Sequence, residues 1–307
     1  MSDKTPPEWI AVDWGTSNLR AWAVAGDGSI QGSAQSDWGM GRLKPSGFED
    51  ALLDVIGDWL DPASQTDVLC CGMVGARQGW IEAPYRPVPA PVVGRVPPVQ
   101  APARDPRIRV FILPGLKQDD PADVMRGEET QIAGFLSQSP DFDGVVCLPG
   151  THSKWVRISA GEVVGFTTFM TGELFALLAG HSVLCHSVGA GGFDEQAFDN
   201  AVTTGTGFPA QVAGELFRLR AEDLLKGLPA GQARARLSGL LIGQEIAAAR
   251  GWWLGMRLVI LGGAKLAGIY LRALKAQGAQ CEPVAGEDAT LDGLKAVYGA
   301  LTKEGQT

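Results

Sequence analysis

Residues 9–24, W-I-A-V-D-W-G-T-S-N-L-R-A-W-A-V, carry two apolar runs on either side of a short polar corner. Ile10–Val12 reads as a buried strand and Leu19–Val24 as its antiparallel return. The corner between them offers a glycine, two hydroxyls and an amide, with a carboxylate, Asp13, at the end of the first strand. Backbone N–H groups and small hydroxyl side chains in such a turn form a concavity that binds anions. An acid beside it would suit Mg2+, which prefers oxygen ligands and keeps several of its waters. An ordinary hairpin turn would choose the same residues for geometry alone, so the corner needs a second signal.

That signal is its echo. Val145–Leu148 reads as a strand, Pro149-Gly150-Thr151-His152-Ser153 as a corner and Lys154–Ile158 as the return strand. Gly15 and Gly150, Thr16 and Thr151, and Gly26 and Gly161 all share one offset of 135 residues. A strand–corner–strand–turn–strand unit that opens both halves predicts an internally duplicated architecture. Gly15, Thr16 and Ser17 are expected to hold one end of a nucleotide's phosphate chain, and Gly150, Thr151 and His152 the other. Backbone donors suit that task because phosphoryl transfer is mainly positioning plus charge stabilisation. Arg20 or Lys154 would neutralise phosphate charge. Gly262-Gly263, between the strand Arg257–Leu261 and a helix over Ala264–Ala276, allows close backbone approach at a helix N-terminus. No G-x-G-x-x-G and no lysine-bearing P-loop occurs, which argues against dinucleotide-binding and P-loop readings.

The remaining sequence fits this frame. Phe48, Leu52, Val55, Ile56, Trp59 and Leu60 fall at helical spacing, and Asp67–Cys71 and Ile108–Leu113 read as strands, the alternation of an α/β domain. Eight of the nineteen prolines lie in residues 84–106, so that segment should be extended and without a helix. A helical region is expected to start at Asp119-Asp120-Pro121, helices over 174–184, 211–226 and 232–250, an edge strand at Cys281–Pro283 and a closing helix over Leu291–Leu301. At 307 residues, with 45% hydrophobic and 20% charged residues, the chain can build two cores. A net charge of -8 argues against a nucleic-acid partner, which needs a basic face. Five cysteines without a repeated spacing fit free thiols. With no signal peptide and no apolar run of membrane-spanning length, a cytoplasmic location without membrane attachment is expected.

The pairing of D-W-G-T-S-N with L-P-G-T-H-S-K-W, followed by L-G-G-A at 261–264, resembles the actin/hexokinase/Hsp70-type ATPase fold. More narrowly, the chain resembles the 2-dehydro-3-deoxygalactonokinases. The carrying motifs are Trp9–Arg20, Cys71–Trp80 (C-G-M-V-G-A-R-Q-G-W), Ala83–Ala90 (A-P-Y-R-P-V-P-A), Met125–Gly134 (M-R-G-E-E-T-Q-I-A-G) and Leu148–Trp155, with Leu240–Ala248 and Leu258–Ala264 extending the match. The resemblance implies an α/β, two-domain, actin-like (ribonuclease H-like) fold with duplicated β-hairpin phosphate corners and a cleft between the domains. Residues 1–143 would carry the first corner and bind the sugar acid; residues 144–307 would carry the second corner and bind adenosine. It implies transfer of a phosphoryl group from ATP, with Mg2+, to the 6-hydroxyl of 2-dehydro-3-deoxy-D-galactonate in galactonate catabolism.

A kinase of this fold needs a carboxylate to take the hydroxyl proton, and related sugar kinases carry one, usually aspartate, behind a glycine at a helix start. Glu128, behind Gly127 and 22 residues before Gly150, matches that place and is the expected base, with Glu129 the neighbour that would replace it. Asp13 is the expected metal-side acid. Because the substrate is a carboxylate, a guanidinium fork is its natural partner: Arg77 and Arg126 are the candidates, with Gln78 for a sugar hydroxyl and Arg86 behind them. Two other readings stay open, a kinase for the epimeric 2-dehydro-3-deoxygluconate and a nucleotide switch without small-molecule transfer. The sequence leaves the oligomeric state, homo-oligomer included, undecided.

Overall fold

The computed structural model describes residues 6–93, 96–189, 191–285 and 288–304. Its contacts divide the chain into two compact units. One is Met1–Phe142 with Ser159–Gly165 and Glu287–Thr307; the other is Asp143–Ile158 with Phe166–Gly286.

The first unit starts with β1 (Trp9–Trp14), β2 (Leu19–Val24) and β3 (Ile30–Ser36), an antiparallel meander. Helix α1 (Phe48–Ile56) then leads to β4 (Thr66–Gly72), which lies parallel to β1. Residues 84–106 hold the short strands β5 (Arg86–Pro87), β6 (Ala90–Pro91) and β7 (Val99–Ala101), with no helix among the described residues, as prolines lacking an N–H require. β8 (Ile108–Ile112) completes a sheet of order β3-β2-β1-β4-β8-β7. The central strands read as unbroken apolar runs because both faces are covered. Phe48, Leu52 and Ile56 of α1 pack on Ile10, Val12, Trp14 and Val68 on one face.

The helical region expected from residue 119 is instead a hairpin, β9 (Leu116–Asp119) and β10 (Ala122–Met125). Asp120-Pro121 forms its two-residue turn, and Ala122–Met125 finds a strand partner before Gly127, at φ 105°, redirects the chain. Only then does α2 (Glu128–Gln138) begin.

The second unit repeats the theme. β11 (Gly144–Leu148), β12 (Ser153–Ser159) and β13 (Glu162–Phe169) are followed by α3 (Thr171–His181), α4 (Glu195–Gly207), α5 (Val212–Lys226), α6 (Ala230–Ala248) and α7 (Arg250–Trp253). β14 (Leu258–Gly262), α8 (Ala264–Ala276) and β15 (Cys281–Ala285) complete it. Five strands run in the order β13-β12-β11-β14-β15, with β6 added beside β13, against β3-β2-β1-β4-β8, with β7 added beside β8. In each, a hairpin pair joins an antiparallel third strand on one side, and two parallel strands lie on the other. The 135-residue echo is therefore a repeat of topology as well as of residues.

Helix α4 carries a short apolar stripe, Phe198, Ala201 and Val202, at helical spacing and buried. It lies against α6 backbone to backbone: a Cβ on Gly239 would stand 2.5 Å from the Phe198 carbonyl oxygen, and one on Gly243 2.7 Å from that of Val202. A contact that close needs glycine on the facing helix. Its N-cap is Asp194, whose carboxylate accepts the Ala197 N–H at 2.9 Å. Thr171 is the first residue of α3, and the cap position belongs to Met170.

The last helix, α9 (Ala289–Glu304), corrects the expected boundary. It belongs to the first unit, where Leu291, Leu294 and Val297 cover Trp9, Ala11, Leu69 and Cys71 on the sheet's second face. Trp9 stacks on Tyr298 with ring centres 4.1 Å apart. A contiguous 144–307 domain would leave that face of the first sheet uncovered. Among the described residues no helix is long and apolar enough to cross a membrane.

Candidate active site

Asp13 stands at the carboxyl end of β1, opposite Arg20 in the β1–β2 register, and Arg20 Nη2 donates to its Oδ2 at 2.6 Å. The cation expected to meet phosphate thus neutralises the expected metal-side acid. The corner beyond it is held by backbone bonds. Gly15 N–H donates to Asn18 O, while the Gly15 and Thr16 carbonyls accept from Met40 and Gly41. A Cβ on Gly39 would lie 2.2 Å from the Ser17 carbonyl carbon, so this loop backs the corner directly. Thr16 and Ser17 are left exposed.

Gly72, paired with Trp14, has φ 89°, and a Cβ there would stand 2.8 Å from the Trp14 carbonyl oxygen and 3.6 Å from Asp13 Oδ1. Gly127 rests on it, its would-be Cβ 3.4 Å from Gly72 Cα. Two glycines at positive φ thus bring the start of α2 to the Asp13 end of the sheet. Both acids of that start fold back on the turn. Glu128 Oε2 accepts the Arg126 N–H at 3.0 Å, and the Glu129 carboxylate accepts the Gly127 N–H at 2.7 and 3.0 Å. Glu128 is half-buried, whereas Glu129 is 5% exposed. Burial first, and then the neighbouring charge of Glu128, pushes the Glu129 carboxyl up to about 7.

Arg126 is 8% exposed and lies under Tyr85, its guanidinium carbon 4.2 Å from the ring centre. Its Nη2 donates to the Ala83 carbonyl at 2.7 Å, while Nε and Nη1 are buried with no partner among the described residues. Buried donors left unmade are costly, and a carboxylate on either edge of the guanidinium would take one of them together with the second N–H of Nη2. Gly75 makes room for that group: a Cβ there would lie 2.9 Å from Arg126 Nη1. Arg77 and Gln78, two and three residues further along, are exposed, and Arg77 Nε lies 3.6 Å from Glu82. Arg86 is half-buried, with Nη2 on the Pro91 carbonyl at 2.8 Å.

In the second unit the other corner is fixed by α3. Gly172 approaches so closely that a Cβ would stand 2.3 Å from the Gly150 carbonyl oxygen. Glu173 donates its N–H to Thr151 O and takes His152 Nε2 on its carboxylate at 2.5 Å. Lys154, in β12, is buried at 5% exposure. Gly262 closes β14 beside Pro149, 3.8 Å from its would-be Cβ, and Gly263 precedes α8. Gly150 and Thr151 form one wall of a cavity of about 850 Å³, whose other walls include Phe193, Arg234, Lys265 and Tyr270. That volume lies in the range of small-molecule and cofactor sites.

Asp13, Gly15, Thr16, Ser17, Arg20, Arg126 and Glu128 therefore gather in the first unit, and Gly150, Thr151, His152, Lys154, Gly262 and Gly263 in the second. Lys265 and Arg234 were not expected. Lys265 was within reach of a sequence reading, since it follows Gly262-Gly263 at the helix start. Arg234, in the middle of α6, carried no local signal.

A family model described as 2-keto-3-deoxy-galactonokinase matches residues 13–297. A probable 2-dehydro-3-deoxygalactonokinase of Rhizobium meliloti (strain 1021) is 42% identical over 95% of this chain and 97% of its own length. The 2-dehydro-3-deoxygalactonokinase of Escherichia coli (strain K12) is 36% identical over 95% of this chain and 98% of its own length. A crystal structure of a candidate 2-dehydro-3-deoxygalactonokinase from Sinorhizobium meliloti superposes with a TM-score of 0.88 at 40% identity, covering 95% of this chain and 99% of that one. Component A of the Acidaminococcus fermentans (R)-2-hydroxyglutaryl-CoA dehydratase shares the fold, with a TM-score of 0.53 at 13% identity, 97% of this chain and 98% of that one.

Proposed function

The chain belongs to the 2-keto-3-deoxy-galactonokinase family, and we propose that it transfers the γ-phosphoryl group of ATP to the 6-hydroxyl of 2-dehydro-3-deoxy-D-galactonate. The observation that carries the substrate side is Arg126, a buried guanidinium with two donors unpartnered among the described residues. A buried guanidinium with donors to spare on both edges suits an anionic substrate group such as a carboxylate and has no use in a bare nucleotide switch. Arg77 and Gln78, on the same loop as Gly75, are in our reading the exposed groups that order on the sugar acid.

In this reading the phosphate contacts of the first corner come from Thr16 and Ser17, with Gly15 holding the turn through Asn18, and those of the second from Gly150–His152, with Gly262-Gly263 and the start of α8 beside it. The cavity walled by Gly150, Thr151 and Lys265 takes the nucleoside. Arg20 and Lys154 supply positive charge. Glu128 is the base. Its carboxylate takes the proton of the 6-hydroxyl as that oxygen bonds the γ-phosphorus and the bond to the ADP oxygen breaks. Glu129 is set apart from this role by burial and by the Gly127 N–H it already holds.

Asp13 fits Mg2+ by its chemistry, a hard carboxylate with one oxygen on Arg20 and the other 4.0 Å from Cys71 Sγ. Among the described residues no cluster of three acidic, histidine or cysteine side chains forms a metal cage. Mg2+ held by one carboxylate, waters and substrate phosphates needs none. When bound, the ion would neutralise charge on the phosphoryl oxygens.

ADP release coupled to a spectrophotometric readout tests this reading across 2-dehydro-3-deoxygalactonate, its gluconate epimer and plain hexoses. Turnover should be fastest with the galactonate acid. Equal turnover of hexoses removes the substrate assignment, preference for the gluconate acid moves it to the epimer, and ATP binding without turnover of any acid leaves only a switch.

A further inference from the structure

Behind the cavity wall, the second unit buries a carboxylate for which the reaction above has no use. Glu245, in α6, is 2% exposed. Its Oε1 accepts the indole N–H of Trp155 at 2.8 Å and its Oε2 the hydroxyl of Tyr270 at 2.7 Å. The Thr171 and Ser153 side chains also hydrogen-bond it, and Ser153 Oγ lies 2.9 Å from the Tyr270 hydroxyl. These four partners come from three elements. Ser153 and Trp155 open β12 directly after the Gly150–His152 corner, Thr171 begins α3, and Tyr270 lies in α8. Gly150, Thr171 and Tyr270 are themselves cavity walls, as are Arg234, Ser238, Leu241 and Ile242 of the helix that carries Glu245.

The geometry points to Glu245 as a positioning residue for the nucleotide: one buried carboxylate ties the second phosphate corner, the start of α3 and the middle of α8 into a preformed pocket. This rests on the kinase reading and extends it to a residue that touches neither substrate. A purely structural explanation is poor. Burial without a cation penalises the ionised form, and it raises the carboxyl's affinity for a proton against the pull of the four hydrogen bonds. Apolar packing would fill the same space without that penalty. What a carboxylate provides, and apolar atoms do not, is four directional bonds to donors, each stronger than a bond to a neutral acceptor.

Glu245→Gln separates the roles. The amide oxygen can turn to Trp155, whose N–H only donates, and the two amide N–H groups can find acceptors among the Tyr270, Ser153 and Thr171 hydroxyls, which can reverse. The pocket is then held by weaker bonds, while no buried charge remains. We expect Glu245→Gln to melt within a few degrees of the parent while its Kd for a non-hydrolysable ATP analogue, by titration calorimetry, rises about tenfold. KM for the sugar acid should stay within about twofold. Tyr270→Phe, which removes one tie and leaves the ring in place, should raise the same Kd by a smaller factor. Unchanged analogue affinity in a folded Glu245→Gln overturns the proposal, as does an equal loss for both substrates or an unfolded Glu245→Gln beside a Tyr270→Phe of parental affinity. A parent protein that binds no ATP analogue overturns the kinase reading instead.

Discussion

Gly127 lies against Gly72, its would-be Cβ 3.4 Å from the Gly72 Cα, with both residues at positive φ. Through this contact the start of α2, and Glu128 with it, reaches the end of the sheet that carries Asp13. The backbone at Gly72, φ 89° and ψ -155°, is open only to glycine, and a side chain there would also strike the Trp14 carbonyl. Gly72→Ala should therefore cost on the order of 2 kcal/mol or more, read as a shift in the urea midpoint, and the folded fraction should have a depressed kcat. Parental stability and rate would show that the two glycines are not what sets this end of the site.

Glu128→Gln tests the base. Loss of general-base catalysis typically costs about 10²- to 10⁴-fold, and the expected signature is a fall of that size in kcat with both KM values within a few-fold. Glu129→Gln serves as the comparison. A kcat that collapses in Glu129→Gln and survives in Glu128→Gln would transfer the role to the buried acid.

Glu129 also makes a pH prediction whose sign is fixed. Its folded carboxyl titrates at about 7, above the ordinary 4.5. Between those values the folded state holds a proton that the unfolded chain has released, so this group's contribution to stability falls as pH rises from about 4.5 to 7. Glu129→Gln lacks that penalty. Its melting temperature relative to the parent should rise between pH 5 and pH 8, in thermal scans of both proteins at both values. A constant difference would mean that Glu129 is ionised throughout.

Arg126 separates recognition from chemistry. Arg126→Lys keeps a charge but loses the planar fork and the stack on Tyr85, and it should raise KM for the sugar acid by about ten- to a hundredfold. The ATP KM should be unaffected. Arg77→Ala, made on an exposed side chain, should raise the sugar-acid KM by a smaller factor. An unchanged sugar-acid KM in Arg126→Lys would place the substrate carboxylate elsewhere.

Trp9–Val24 and its echo at residues 145–158 were enough to read a duplicated α/β chain, because the signals are local. Apolar strands flank glycine-bearing corners, and the equal offset repeats them. The corners, Asp13 and the Gly262-Gly263 helix start could be named for the same reason. Each role depends on a residue's immediate neighbours and on the strand or helix it ends.

Tertiary structure decided what depends on partners distant in sequence. Asp120-Pro121 became a hairpin turn because β9 was there to pair with Ala122–Met125. Helix α9 joined the first unit because the Trp9–Cys71 face of its sheet needed a cover. Helix α4 lies close on α6 because Gly239 and Gly243 of α6 let the two backbones meet, a pairing that neither helix announces alone. Arg126 stood in the sequence as a candidate beside Arg77, and only its burial under Tyr85, with two donors left without a partner among the described residues, tells the two apart. Glu245 gave no sign of its place, since its four partners are 25 to 92 residues away along the chain. Burial and hydrogen-bond satisfaction are properties of the packed chain, and no spacing of residues along the sequence displays them.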